Sequence, residues 1–231
     1  MPLLIKPDNQ TLLFVHIPKT AGTSIKSRIK SDIKLALNVE FKQELPCPPQ
    51  HFHFELLERL GFASYCCDSF AVVRHPLTRF ISEFAYLKKV DKKFKHVNLL
   101  TFALLCKKIY PINKYIFSNH IRPQSEFISN STRVFKIEDG ISHVYDAYPE
   151  FFITEKSKQK SVVANKSNSN SIIADSLSAN IVQELYKEDY KNLNYNFTLE
   201  NISIRNTGLI ELIVSHVLST LISWSYKSKK R

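Results

Sequence analysis

Residues 16–24 read HIPKTAGTS and include Gly22, one of only four glycines in 231 residues. A glycine lets the backbone approach a ligand closely. Thr20, Thr23 and Ser24 supply hydroxyl donors, and Lys19 adds a cation. A turn into a helix N-terminus also exposes backbone N–H groups at the positive end of the helix dipole, a setting that holds anions. The stretch is not a Walker A sequence, because its lysine precedes the glycine and no GxxxxGK[ST] occurs. An ordinary helix cap, with Thr or Ser satisfying the first N–H groups, is the competing account. A second constellation lies in VVRHPLTRFISEF, residues 72–84. Arg74 at a strand end and Ser82 two turns into the next helix could grip one phosphate, the arginine through its bidentate fork. Taken alone, Arg74 could equally be a surface arginine in an ion pair.

The elements that must position these residues can be read from periodicity. TLLFVHI (11–17) is a short β-branched and aromatic run, expected to be a buried strand. After PKTAGTS, the residues Ile25, Ile29, Ile33 and Leu37 recur every fourth position, which predicts a helix. Strand, tight loop and helix in that order form the phosphate-binding start of an α/β fold. FKQELPCPPQHFH (41–53) has three prolines and is expected to be a loop, followed by a short helix closed at Gly61. SFAVVR (69–74) predicts a second strand. HPLTRFISEFAYLKK predicts a helix with Leu77, Phe80, Ile81, Phe84 and Leu87 inward and Arg79, Ser82 and Tyr86 on the opposite face. Residues 98–117 predict a helix broken at Pro111, 133–139 a strand, 159–172 a polar loop and 174–193 a long helix.

Apolar residues make up 44% of the chain and aromatics 12%, enough for a sizeable core, and 231 residues fit one domain. The net charge of +11 favours an anionic partner: nucleic acid, acidic polysaccharide, nucleotide or membrane surface. A basic surface from a lysine-heavy proteome explains the same number. The four cysteines, at 47, 66, 67 and 106, show no metal-binding spacing, so no metal is expected and a reduced, cytoplasmic setting is. The N-terminus lacks the order of a secretory signal. Residues 208–226 predict an amphipathic helix with Leu209, Leu212, Ile213, Val217 and Leu221 on one face, followed by basic residues. A helix docked on the core is expected; peripheral contact with a membrane surface is the alternative.

The two motifs in this order resemble the sulfotransferase family, whose members use 3′-phosphoadenosine 5′-phosphosulfate (PAPS) as sulfate donor and leave the product PAP. The similarity is greatest to the branch of carbohydrate sulfotransferases and their soluble bacterial relatives. NHIRPQSEFI (119–128), RVFKIEDG (133–140), ANKSNSNSI and YKEDYKNLNY look like further landmarks of that branch. The resemblance implies one domain over 1–231 with a P-loop-like, three-layer α/β fold, a central parallel sheet flanked by helices. It implies that Lys19, Thr20, Ala21, Gly22, Thr23 and Ser24 hold the 5′ end, and that Arg74 and Ser82 hold the 3′-phosphate. Lys166 and Ser167 would lie in a loop that closes over the nucleotide. His75 departs from the acidic or amide residue that many members carry between the arginine and the proline.

Sulfuryl transfer is an in-line displacement in which positioning and electrostatics dominate. Lys19 would stabilise the leaving phosphate oxygen, and a hydroxyl acceptor needs a base. His51 and His53 form a His-x-His pair similar to that of uronyl 2-O-sulfotransferases, in which the second histidine is favoured, so His53 ranks before His51. A near-neutral pKa suits the task. Metal binding by the pair would need a third ligand, and none is spaced nearby. His120 and Arg122 are candidates for acceptor binding, with Gln124 either beside them or bonded to backbone. Glu83 is a weaker acid/base candidate. The expected acceptor is a carbohydrate rather than nucleic acid. The rival activities are a nucleotide-dependent kinase, which would need magnesium ligands, and a non-catalytic module that binds nucleic acid or another polyanion.

Overall fold

A computed structural model describes residues 2–38, 45–61, 68–153, 174–197 and 204–227. The chain divides into two compact units, one comprising residues 1–74 and 118–166, the other 75–117 and 167–231.

The first unit is built on a five-stranded sheet. Its strands are β1 (Leu3–Ile5), β2 (Thr11–Val15), β3 (Lys34–Ala36), β4 (Ser69–Val73) and β5 (Arg133–Lys136), in the order β3-β1-β2-β4-β5. β2, β4 and β5 run parallel, with Val15 opposite Ala71 and Val73 opposite Lys136. β1 pairs antiparallel with both β2 and β3. The sheet is therefore mixed: the expected parallel arrangement is found in its β2-β4-β5 part, and β1 and β3 add antiparallel pairings at one side.

Alternation along the strands sends Leu4, Leu12, Phe14, Phe70 and Val72 into one core. Ile25 from helix α1 (Gly22–Lys26) and Val144 and Tyr145 from α5 (Ser142–Ala147) join it, with Tyr148, Phe151 and Phe152. Phe14 and Phe70 stack across neighbouring strands at 4.9 Å. The short helix α2 (Phe54–Arg59) ends at Gly61, whose φ of 74° is the left-handed conformation expected at a helix C-terminus.

The predicted helix over 25–37 is not formed beyond Lys26. Its apolar spacing is real, since Ile25 and Ile33 are both core residues. The backbone, however, bonds elsewhere: Lys30 N–H donates to the Phe151 carbonyl (3.1 Å), and Ile153 N–H donates to Arg28 (2.8 Å). Ser27 bonds back to the Ser24 carbonyl, a local competitor of the helix. The chain then becomes the edge strand β3.

The second unit is helical. It contains α3 (Pro76–Val90), α4 (Leu99–Ile109), α6 (Ser176–Leu185), α7 (Lys187–Asn192) and α8 (Leu209–Lys227), with a two-stranded pairing of β6 (Ala174–Asp175) and β7 (Ile204–Arg205). Phe102 is the centre of an aromatic cluster, 4.9 Å from Phe80, 5.3 Å from Phe84 and 5.7 Å from Phe94. Asn98 caps α4 by accepting from Thr101 N–H at 2.8 Å, and Asp175 caps α6 through Ser178 N–H at 2.8 Å. The single helix expected over 174–193 is broken at Tyr186, which is buried beneath the Arg79 guanidinium, 5.5 Å from its ring.

Two further expectations about helices are corrected. The face of α3 bearing Arg79 and Ser82 is not exposed: both are buried, as is Glu83, and only Tyr86 reaches solvent. In α8 the docked face is opposite to the one predicted. Ser215, Ser219 and Ser223 are buried, whereas Leu209, Ile213, Val217 and Leu221 are exposed.

Candidate functional site

β2 and β4 are parallel neighbours, so the segments that follow them leave the sheet at the same edge. One segment carries His16 to Ser24 and the other begins with Arg74. In open α/β sheets, ligands bind outside the carboxyl ends of parallel strands.

The loop after β2 is held in an unusual shape. Lys19 and Ala21 both adopt positive φ, 70° and 69°. Non-glycine residues pay for that conformation, and it persists where the surroundings impose it. Thr20 contributes by donating its hydroxyl to the Ile17 carbonyl at 2.8 Å. Its hydrogen is therefore committed to the loop, not offered as the donor expected from sequence. α1 starts at Gly22 with Ala21 in the cap position and no side chain capping it. The helix-cap account of Thr23 and Ser24 is thus not what the structure shows. The first i→i−4 bond runs from Ile25 N–H to Ala21 (3.0 Å), so the amides of residues 22–24 come before the helical ladder. These amides, the half-buried Lys19 and the hydroxyls of Thr23 and Ser24 make a donor set suited to an anion.

Gly22 is required by sterics. A Cβ there would lie 1.8 Å from Nε2 of His16. The His16 ring is stacked on Phe14 at 5.2 Å and meets His51 edge-on at 5.4 Å. His51 in turn meets His120 at 4.6 Å. Three imidazoles thus form a contiguous row that starts directly after β2. Burial pushes the His16 pKa well below the usual histidine range. The same cause, reinforced by His120 and His16, pushes His51 far down. Both are neutral in the fold. Nδ1 of His51 faces the Ser118 carbonyl at 3.2 Å. A carbonyl only accepts, so the proton is on Nδ1 and the lone pair is on Nε2.

Lys26 links α1 to the histidine segment, donating to Gln50 Oε1 (3.2 Å) and Asn38 Oδ1 (3.3 Å). His53 stands at the cap position of α2, buried, with Nε2 3.9 Å from Glu55. Its partner in the His-x-His pair, His51, contacts His16.

Arg74 is positioned by Gln124. The fully buried amide of Gln124 accepts from Arg74 N–H at 2.9 Å and donates to the Arg74 carbonyl at 2.7 Å. Of the two roles open to Gln124, backbone bonding is the one observed. Arg122 is also buried, donating through Nε to Asn119 Oδ1 (2.6 Å) and pairing with Glu126. Asn119 donates to the His51 carbonyl at 2.8 Å, so this network supports the histidine row. His120 is half-buried against His51.

Ser82 lies in the second unit, buried on α3. His75, at the start of that helix, is held within the same unit by the Asn196 carbonyl (2.9 Å) and the ring edges of Tyr190 and Tyr195, each at 5.4 Å. Lys166 and Ser167 lie outside the described residues.

Sequence reasoning missed His16, Lys26 and the clamp of Gln124 on Arg74. His16 could have been noticed from its place between the end of an apolar strand and the only glycine of the loop. Nothing local in the sequence ties residue 124 to residue 74.

The chain matches no curated protein and no solved structure at a significant level. A family model, that of the sulfotransferase family, matches residues 1–196. That stretch takes in the loop after β2, the histidine row, Arg74 and Ser82, and the chain belongs to the sulfotransferase family.

Proposed function

We propose that this protein transfers a sulfuryl group from PAPS to a hydroxyl of a carbohydrate acceptor. The observation that carries this reading is the parallel pairing of β2 with β4, which brings the Lys19 loop and Arg74 to one edge of the sheet. The strand–loop–helix from β2 to α1 is the P-loop-like part of the fold.

The 5′ end of the donor would meet Lys19, the amides of residues 22–24 and the hydroxyls of Thr23 and Ser24. Arg74, its backbone fixed by Gln124, would take the 3′-phosphate through its guanidinium. The family resemblance implies that Ser82, Lys166 and Ser167 also take part in donor binding. When bound, the donor supplies an activated sulfuryl group on a phosphate leaving group.

Lys19 stabilises charge on the oxygen that becomes phosphate. His51 takes the proton of the acceptor hydroxyl on Nε2, the nitrogen left with a lone pair by the Ser118 contact. Its burial keeps it unprotonated beforehand, and a nearby anionic donor raises its affinity for the proton as transfer proceeds. We rank His51 ahead of His53, the reverse of the order suggested by the sequence pattern, on the ring contacts of His51 with His16 and His120 and on its Nδ1 contact with Ser118. His120, half-buried beside it, is assigned to the acceptor. Arg122 supports this segment through Asn119.

The test is transfer of labelled sulfate from PAPS onto a panel of glycan, lipid and phenol acceptors. Label on a glycan, abolished by Lys19→Ala, is expected. Label confined to phenols or lipids would overturn the carbohydrate assignment.

A further inference from the structure

We propose that α8 lies on the surface of an anionic membrane, with its exposed apolar face in the headgroup–acyl boundary and its serine face still packed on α4. The helix is docked through its small polar residues. Asn98 bonds Ser215 at 3.3 Å, and Lys108 donates to Ser219 and Thr220, both at 2.7 Å. The large residues are left outside. Ile210 is 79% exposed, Ile213 56%, Val217 54%, Leu221 56% and Trp224 65%. On a helical wheel these occupy one arc, opposite Ser215, Ser219 and Ser223. A continuous apolar face of this kind marks an interaction surface.

Charge selects the occupant. Lys93 lies 5.6 Å from the ring of Tyr226, which places the segment Val90–Lys95 beside the C-terminal end of α8. Lys89, Lys92, Lys93 and Lys95 are all exposed there, and the sequence after α8 continues Ser-Lys-Lys-Arg. Trp224 sits at the same end, where an amphipathic ring suits the headgroup level. An apolar face bordered by tryptophan and lysines is complementary to a bilayer with negative headgroups. A second copy would cover the apolar face but would set one chain of net charge +11 against another. α8 is long and apolar enough to cross a bilayer, but crossing would break the bonds to Asn98 and Lys108.

Trp224 is the only tryptophan in the chain, so its fluorescence reports on this face alone. The full-length protein is titrated with phosphatidylglycerol-containing vesicles and with phosphatidylcholine vesicles. Expected are a shift of emission to shorter wavelength with the anionic vesicles only, reversal by salt, and release of the vesicle-bound protein by alkaline carbonate. The double variant Val217→Asp, Leu221→Asp changes only exposed positions. With its circular dichroism unchanged, it should bind these vesicles at least about tenfold more weakly. Three results would each overturn the proposal: no emission shift with anionic vesicles; Trp224 already shielded in a lipid-free dimer; or retention of the protein after carbonate extraction, which would mean a spanning helix.

Discussion

The imidazole of His16 occupies the space into which a side chain at position 22 would have to grow, with 1.8 Å between Nε2 and a Cβ placed there. The ring has little room to retreat, being stacked on Phe14 and in edge contact with His51. Gly22→Ala should therefore destabilise the protein by about 1–3 kcal/mol through overpacking. Combining it with His16→Ala should restore part of the loss. Thermal unfolding of the two single variants and the double variant checks this; additive losses would show that the two positions do not compete for space.

Two of the buried imidazoles make a prediction about acid. His16 and His51 have pKa values lowered by burial, so the unfolded chain binds more protons than the fold below the ordinary histidine pKa of 6.5. Their contribution is fully present above that pH and is lost as the pH falls below it. Each should remove about 1.4 kcal/mol per pH unit. Denaturant unfolding between pH 7 and 5 should show this slope, and His51→Asn should reduce it by about 1.4 kcal/mol per pH unit.

Gln124 touches both backbone groups of Arg74, so Gln124→Leu leaves a donor and an acceptor without their partner. Each unsatisfied group costs about 1–3 kcal/mol. Affinity for PAP should fall as well, because the strand end that aims the guanidinium is loosened. Calorimetry on the variant, read beside its melting temperature, checks both parts.

His51→Ala should reduce turnover by about 100-fold or more, as expected for loss of a general base, with PAP affinity nearly unchanged. His53→Ala should cost less turnover. Steady-state kinetics at saturating PAPS distinguish them, and a larger loss for His53 would transfer the base role to it.

The parts of the fold that could be read from sequence are those in which a local pattern dictates the outcome. β2 and β4 are unbroken apolar runs, α3 starts at Pro76, and Gly61 ends α2. The failures arise where a distant partner decides. Ile29 and Ile33 keep helical spacing, yet Arg28 and Lys30 give their backbone bonds to residues 151–153, over a hundred positions away. In α8 the apolar residues form the stripe that amphipathic logic buries, but small serines let the helix approach α4 on the other side. For the candidate site, the loop after β2 and Arg74 stand out as motifs in the sequence, and the parallel pairing of β2 with β4 is what the structure adds. The proposed preference for His51 over His53 is not legible there, since it rests on the contacts of His51 with His16 and His120.

The central claim is that the loop after β2 and the residue after β4 together bind one doubly anionic adenylate. Calorimetric titration of the protein with PAP, and separately with magnesium-ATP, tests it most directly. The account predicts PAP binding that is lost in both Lys19→Ala and Arg74→Ala, with magnesium-ATP binding much more weakly. Equal or tighter binding of magnesium-ATP, or PAP binding indifferent to both substitutions, would contradict it.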